Sequence, residues 1–170
     1  MVIVAGSVVW SVLNGMPWLN GLRARWEAQR LQDQWEKPYR EDKYGGKTPE
    51  ETYDMFISAL QKGDTTLASK YFVLNKQESW KTTLEQYQKQ DLLTKLISEI
   101  ILNKNSWTLS KNDKSKATYT YNYKVNKPYT EELPLGDGKT QTLIHPAGTF
   151  KASVIFEKNS YANIWKIDVL

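Results

Sequence analysis

KTPEETYDMFISALQKGDTTLASKYF, Lys47 to Phe72, reads as two amphipathic helices hinged on a Gly-Asp pair. Thr48 can accept a hydrogen bond from the Glu51 N–H while the Glu51 carboxylate reaches back, and Pro49 fills the first helical position, where no N–H is required. Tyr53, Phe56, Ile57 and Leu60 then recur at i, i+3, i+4 and i+7, which places them on one face of the helix. Gly63 supplies a left-handed C-terminal residue, and Asp64 caps a second helix carrying Leu67, Ala68, Tyr71 and Phe72. Two helices with one apolar face each form a wall for a core.

Downstream, Asn75 and Glu78 repeat the capping-box spacing and predict a third helical region with Trp80, Leu84 and Tyr87 on it. Leu92, Leu93, Leu96, Ile97, Ile100 and Ile101 continue the apolar stripe, so the helical stretch extends to Asn103 as three or four helices in a row. The period then changes to two. Ala117, Tyr119, Tyr121, Tyr123 and Val125 alternate with polar residues, and Phe150, Ala152, Val154 and Phe156 form a second alternating set. Asn159 to Asn163 turns the chain into a last strand from Ile164 to Leu170, and Trp107 to Leu109 begins the sheet. Between Asn126 and Gly148 lies an irregular excursion with a hairpin-turn signal at Asp137-Gly138. Helices first and strands later predict an α+β fold with an antiparallel sheet.

With 170 residues, the chain has room for one domain and an extension, and its 40% hydrophobic and 12% aromatic content is that of a globular protein. The net charge of +4 is spread evenly: Arg23 to Lys47 holds seven basic and five acidic residues, and the rest holds sixteen and fourteen. No basic patch stands out, so a nucleic-acid partner is not expected. The absence of cysteine removes disulfides, thiolate nucleophiles and cysteine metal sites. His145 is the only histidine, so no His-His metal pair can form within one chain, and no metal is expected. GDGKT, Gly136 to Thr140, fails as a phosphate-binding loop: Leu133 stands where that motif needs glycine, and the pattern after it is strand-like. No cofactor is expected.

Before Lys47 the chain changes character. Val2 to Leu22 carries no charge over a length close to the ~20 residues of a membrane-crossing helix, and Trp10, Trp18, Trp26 and Trp35 suit a headgroup zone. Asn14, Gly15, Pro17, Asn20 and Gly21 confine the strongly apolar part to Val2–Leu13, and Met1 begins inside that run without a charged leader. Residues 1–22 therefore read as a membrane anchor, shortened or cut, against the rivals of a signal-peptide core or an amphipathic helix. Residues 23–47 read as a tether, helical from Leu22 to Trp35 and polar from Lys37 to the Gly45-Gly46 pair, with the domain spanning 48–170. Arg23, Arg25 and Arg30 would by the positive-inside rule place that domain in the cytoplasm.

TPEETYDMFISALQKGDTTLASKYF, then a long helical stretch, then strands ending in FKASVIFEKNSYANIWKIDVL, resembles the nuclear transport factor 2-like superfamily, with its cystatin-like cone of helices against a curved antiparallel sheet. The likeness covers Thr48 to Leu170 and is one of pattern, in particular to domains tethered to bacterial membranes by one N-terminal segment. That implies an extracytoplasmic location. The helical stretch to Asn103 and the excursion from Asn126 to Gly148 depart from compact members. In such a cone the sheet and the first helices enclose a pocket, which in the enzymes holds an acid or a His-Asp pair. Here the inward set would be Tyr119, Tyr121 and Tyr123 with Phe56, Trp80 and Trp165, aromatic rather than acidic.

The set serves either as core or as an aromatic pocket for a small apolar ligand or a peptide. His145, before Pro146, is the one residue suited to proton transfer near neutral pH, with Asp54, Glu131, Glu132 or Asp168 as orienting carboxylates by type alone. The expected function is non-catalytic: a membrane-tethered domain that binds a ligand or a protein. The alternatives are a small enzyme of the ketosteroid-isomerase or polyketide-cyclase kind, and an adaptor whose sheet face pairs two copies.

Overall fold

A computed structural model describes residues 17–135 and 139–170. The chain divides into two compact units after Asp42. In the first, α1 runs from Pro17 to Arg40. It continues past Trp35 and through Pro38 into the segment expected to be a polar tether. Arg40 closes its last turns, reaching Glu36 at 3.1 Å and Asp33 at 3.2 Å. No helix among the described residues is long and apolar enough to cross a membrane. Most of the expected anchor, residues 1–16, lies outside the described residues.

The second unit, Lys43 to Leu170, is α+β. Its opening hairpin follows the local chemistry. Thr48 and Glu51 form the reciprocal capping box of α2 (Pro49–Gln61), and Tyr53, Phe56, Ile57 and Leu60 are buried. Gly63 takes the left-handed conformation at φ 70°, and the Asp64 side chain accepts from the Leu67 N–H to cap α3 (Thr65–Ser69).

The third helical region departs from expectation at its start. A 3₁₀ turn at Leu74–Lys76 leads directly into α4 (Gln77–Lys89), so Asn75 lies inside the turn and no side chain caps the helix. The chain is held just upstream, where the Val73 N–H donates to the Ile167 carbonyl and the Gln77 amide donates to the Lys70 and Phe72 carbonyls. That anchorage, rather than a cap, sets the start of α4. Asp91, at φ 57°, ends this helix and α5 (Leu93–Asn105) begins afresh, which makes four of the three or four helices expected. Aspartate tolerates this backbone conformation better than most residues.

Four strands form one antiparallel sheet in the order β1-β2-β5-β6: β1 (Thr108–Asn112), β2 (Lys116–Val125), β5 (Gly148–Asn159) and β6 (Ile164–Val169). Between β2 and β5, most of the described residues form strands rather than an irregular excursion. β3 (Tyr129–Leu135) and β4 (Lys139–His145) pair as a hairpin in continuous register from Tyr129 opposite His145 to Leu135 opposite Lys139. Asp137-Gly138, the turn signal, lies outside the described residues.

Helices and sheet meet over Tyr53, Phe56, Leu60, Phe72, Leu84 and Ile100 on one side and Ala117, Tyr119, Val154, Phe156 and Ile167 on the other. The edge of this core is closed by the glycine pair that was expected to end the tether. Gly46 accepts from the Trp165 N–H at 2.9 Å and donates to Thr52 Oγ1 at 2.9 Å, and that hydroxyl donates to the Trp165 carbonyl at 2.9 Å. A Cβ on Gly45 would lie 2.3 Å from the Trp165 carbonyl oxygen. Lys166, 2% exposed, donates from Nζ to the carbonyls of Tyr44 (2.7 Å) and Lys70 (2.6 Å), which supply the partners a buried ammonium requires. These glycines allow close backbone approach, a demand that looks in sequence like linker flexibility.

Candidate functional site

A cleft of about 280 Å³ opens between α4 and α5. Trp80, Thr83, Leu84 and Tyr87 line it from α4 at i, i+3, i+4 and i+7; Leu96, Glu99, Ile100 and Asn103 line it from α5 at the same spacing. Tyr53 of α2, Tyr121 of β2 and Leu170 complete the lining. The two helical stripes meet in buried Leu84 and Ile100, while Thr83, Tyr87, Glu99 and Asn103 stand on the same faces and add polar side chains to the lining. Periodicity marks these faces as inward without telling which inward positions touch a neighbour and which touch a void.

The six residues singled out from sequence do not form one pocket. Trp80 and Tyr121 line the cleft. Phe56, fully buried, packs edge-on against Phe72 at 5.3 Å, and Phe72 in turn stacks on Trp80 at 4.4 Å and 17°, so Phe56 supports the cleft wall from behind. Tyr119 packs with Trp107 (4.9 Å) and Phe156 (5.8 Å) behind the cleft-lining Tyr53, its hydroxyl donating to the Glu50 carboxylate. Tyr123 is exposed and packs beside its cross-strand neighbour Phe150. Trp165 is buried at the Gly45-Gly46 contact, away from the cleft lining. Alternation along β2 correctly puts the three tyrosines on one face, but cover fails progressively: Tyr119 is buried, Tyr121 half-buried and Tyr123 exposed.

Sequence reasoning missed Tyr87, Glu99 and Asn103, and also Trp107, which was read only as the start of the sheet. The Trp107 ring lies 4.4 Å from Tyr53, and its buried Nε1 has no hydrogen-bond partner among the described residues. Burial raises the Tyr53 hydroxyl above the usual tyrosine range, with a further push from Tyr121. Burial also raises Tyr121, followed by contributions from Tyr123 and Glu99. Both phenols are therefore held neutral, able to donate and to accept hydrogen bonds.

His145 does not line the cleft: it stacks on Tyr129 at 4.4 Å and 9° in the β3–β4 hairpin. Of its candidate orienting carboxylates, Asp54 pairs with Lys104, and Asp168 with Lys76 at 2.5 Å. The side chains of Glu131 and Glu132 lie outside the described residues. Among the described residues, no group of three or more histidine, aspartate or glutamate side chains is arranged to hold a metal ion. A second hollow, lined by Met55, Lys62, Leu67 and Tyr71 on the outer side of α2 and α3, is more open and carries charges of both signs.

No protein-family model matches the chain, and no curated protein or solved structure is significantly similar to it.

Proposed function

We propose that Lys43–Leu170 is a non-catalytic binding module of the nuclear transport factor 2-like type, held at a membrane by the segment before it and facing outward. The observation that carries the binding half is the cleft between α4 and α5, where Trp80, Tyr87 and Tyr121 line a space that none of their rings fills by contact with another. A concave site with apolar and aromatic walls and a few polar groups is the usual form of a small-molecule site, and its volume of about 280 Å³ falls just short of the ~300–1,000 Å³ range. The order of helices before an antiparallel sheet supports the kinship, and the uncharged run from Val2 to Leu22 supports the tether.

A fragment screen by amide and indole NMR tests the binding. Fragments that shift Trp80, Tyr121 and Asn103 together support the reading. Shifts that gather on the β3–β4 hairpin instead, or a Trp80→Ala variant that folds and binds unchanged, overturn it. Flotation of the full chain with lipid vesicles tests the tether separately, and recovery entirely in the lipid-free fraction refutes it.

A further inference from the structure

The cleft walls differ from the rest of the molecule in charge. The chain carries a net +4, and Lys43–Leu170 has slightly more basic than acidic residues. Yet no lysine, arginine or histidine lines the cleft among the described residues, and the one charged side chain in its wall is Glu99. The Glu99 carboxylate is close enough to the Tyr121 hydroxyl to oppose its ionisation, after burial and Tyr123. Phe72 backs the Trp80 indole, so the ring is held in place beside the gap. Resting on the reading of this cleft as a binding site, we propose that its ligand is a small organic cation with an apolar body, an alkyl- or arylammonium, seated among Trp80, Tyr87 and Tyr121 with Glu99 at its charge.

Each wall component favours that class over its neutral and anionic counterparts. The negative faces of indole and phenol rings attract a cation, with tryptophan the strongest. A neutral ligand that covers Glu99 desolvates the carboxylate without compensating its charge, and an anion adds repulsion. Lys95 is the nearest competitor: its Nζ lies 4.0 Å from Glu99 Oε1, but both side chains are exposed, and such a pair is weak enough for a ligand to displace. The small volume excludes a folded partner and suits a single ammonium on one ring or short chain.

The test uses three probes that share a phenyl ring and differ in charge: benzyltrimethylammonium, benzyl alcohol and phenylacetate, titrated into the full chain at low salt and followed by calorimetry and by the Trp80 and Tyr121 resonances. The cation is expected to bind about tenfold tighter than the alcohol, with phenylacetate weakest. Glu99→Gln, at an exposed position that leaves folding intact, should bring the cation down to the affinity of the alcohol and leave the alcohol unchanged. Lys95→Gln should tighten the cation about twofold. Equal binding of cation and alcohol at the cleft, or an unaltered preference in Glu99→Gln, overturns the cation inference and leaves the binding site standing. If no probe and no other fragment shifts Trp80 or Tyr121, the binding site itself is refuted.

Discussion

Gly45→Ala is the sharpest perturbation of the domain boundary. An alanine Cβ at this position would lie 2.3 Å from the Trp165 carbonyl oxygen and 3.2 Å from Ile164 Cβ, whereas ordinary contact begins near 3.4 Å. Something must therefore move by about 1 Å, an overpacking that typically costs about 1–3 kcal/mol. Neither neighbour is free to yield. Displacing the Trp165 carbonyl stretches its bond from Thr52 Oγ1, and displacing residues 45–46 stretches the bond from the Trp165 N–H to the Gly46 carbonyl, both 2.9 Å. Losing either adds about 0.5–1.5 kcal/mol, so the total is about 1.5–4.5 kcal/mol. Against a margin of about 5–15 kcal/mol and a urea slope of about 1–3 kcal/mol/M, the midpoint should fall by about 1–2 M with the slope preserved. Gly21→Ala is the control, because nothing lies within 4 Å of its Cβ and it belongs to the other unit. A Gly45→Ala variant that unfolds at the wild-type midpoint would refute the packed boundary and restore the glycine pair as a spacer.

Three further outcomes follow from the core, the β3–β4 hairpin and the partly buried Glu50–Tyr119 contact. Phe56→Ala empties a fully buried site against Phe72 and should lower stability by about 3–5 kcal/mol in urea melts; a loss below 1 kcal/mol would refute its place at the centre of the core. His145→Ala, in the separate β3–β4 sheet, should leave the main urea transition within about 0.5 kcal/mol, and a larger shift would tie that hairpin to the core. Burial raises the Glu50 carboxyl, but the hydrogen bond from Tyr119 and lesser contacts outweigh it and bring the net value below the ordinary 4.5, while burial and Glu50 push the Tyr119 hydroxyl above 10.0. The Glu50 contribution is present above 4.5 and is lost as pH falls through its lowered folded value. The Tyr119 contribution is complete below 10.0 and is lost as pH climbs through its raised one. Tyr119→Phe should therefore lie furthest below wild type between those limits, and a difference that stays constant from acid to alkaline pH would sink the coupling.

Where neighbours in the chain carry the information, sequence and structure agree. Thr48 with Glu51, and Asp64 with Leu67, are contacts three residues apart, so the caps of α2 and α3 are visible as spacing. The stripe from Tyr53 to Leu60 and the alternation of β2 and β5 are likewise periodic, and a buried face on these elements suffices to order helices against an antiparallel sheet. Asn75 and Glu78 have the same spacing as a working cap and do not form one, because Val73 is fixed to Ile167, far away in the chain, before the helix can start. The β3–β4 hairpin was signalled only by its turn at Asp137-Gly138 and the strand-like pattern after it: its pairing is regular, but its strands lack the strong apolar alternation by which β2 and β5 are recognised.

The α+β class, the opening caps and the inward faces of the long elements were determined by the sequence itself, since each depends on residues within about seven positions of one another. Tertiary structure alone decided that the Gly45-Gly46 pair is packed rather than free, that Lys166 can be buried beneath the Tyr44 and Lys70 carbonyls, and that Trp80 and Tyr121 share a cleft with Glu99 while Phe56, Tyr119, Tyr123 and Trp165 do not. Periodicity specifies the direction in which a side chain points from its own element. Whether that direction ends in another side chain, a backbone carbonyl or a void depends on how far apart the elements pack, and this distance is set by contacts between residues remote in the chain.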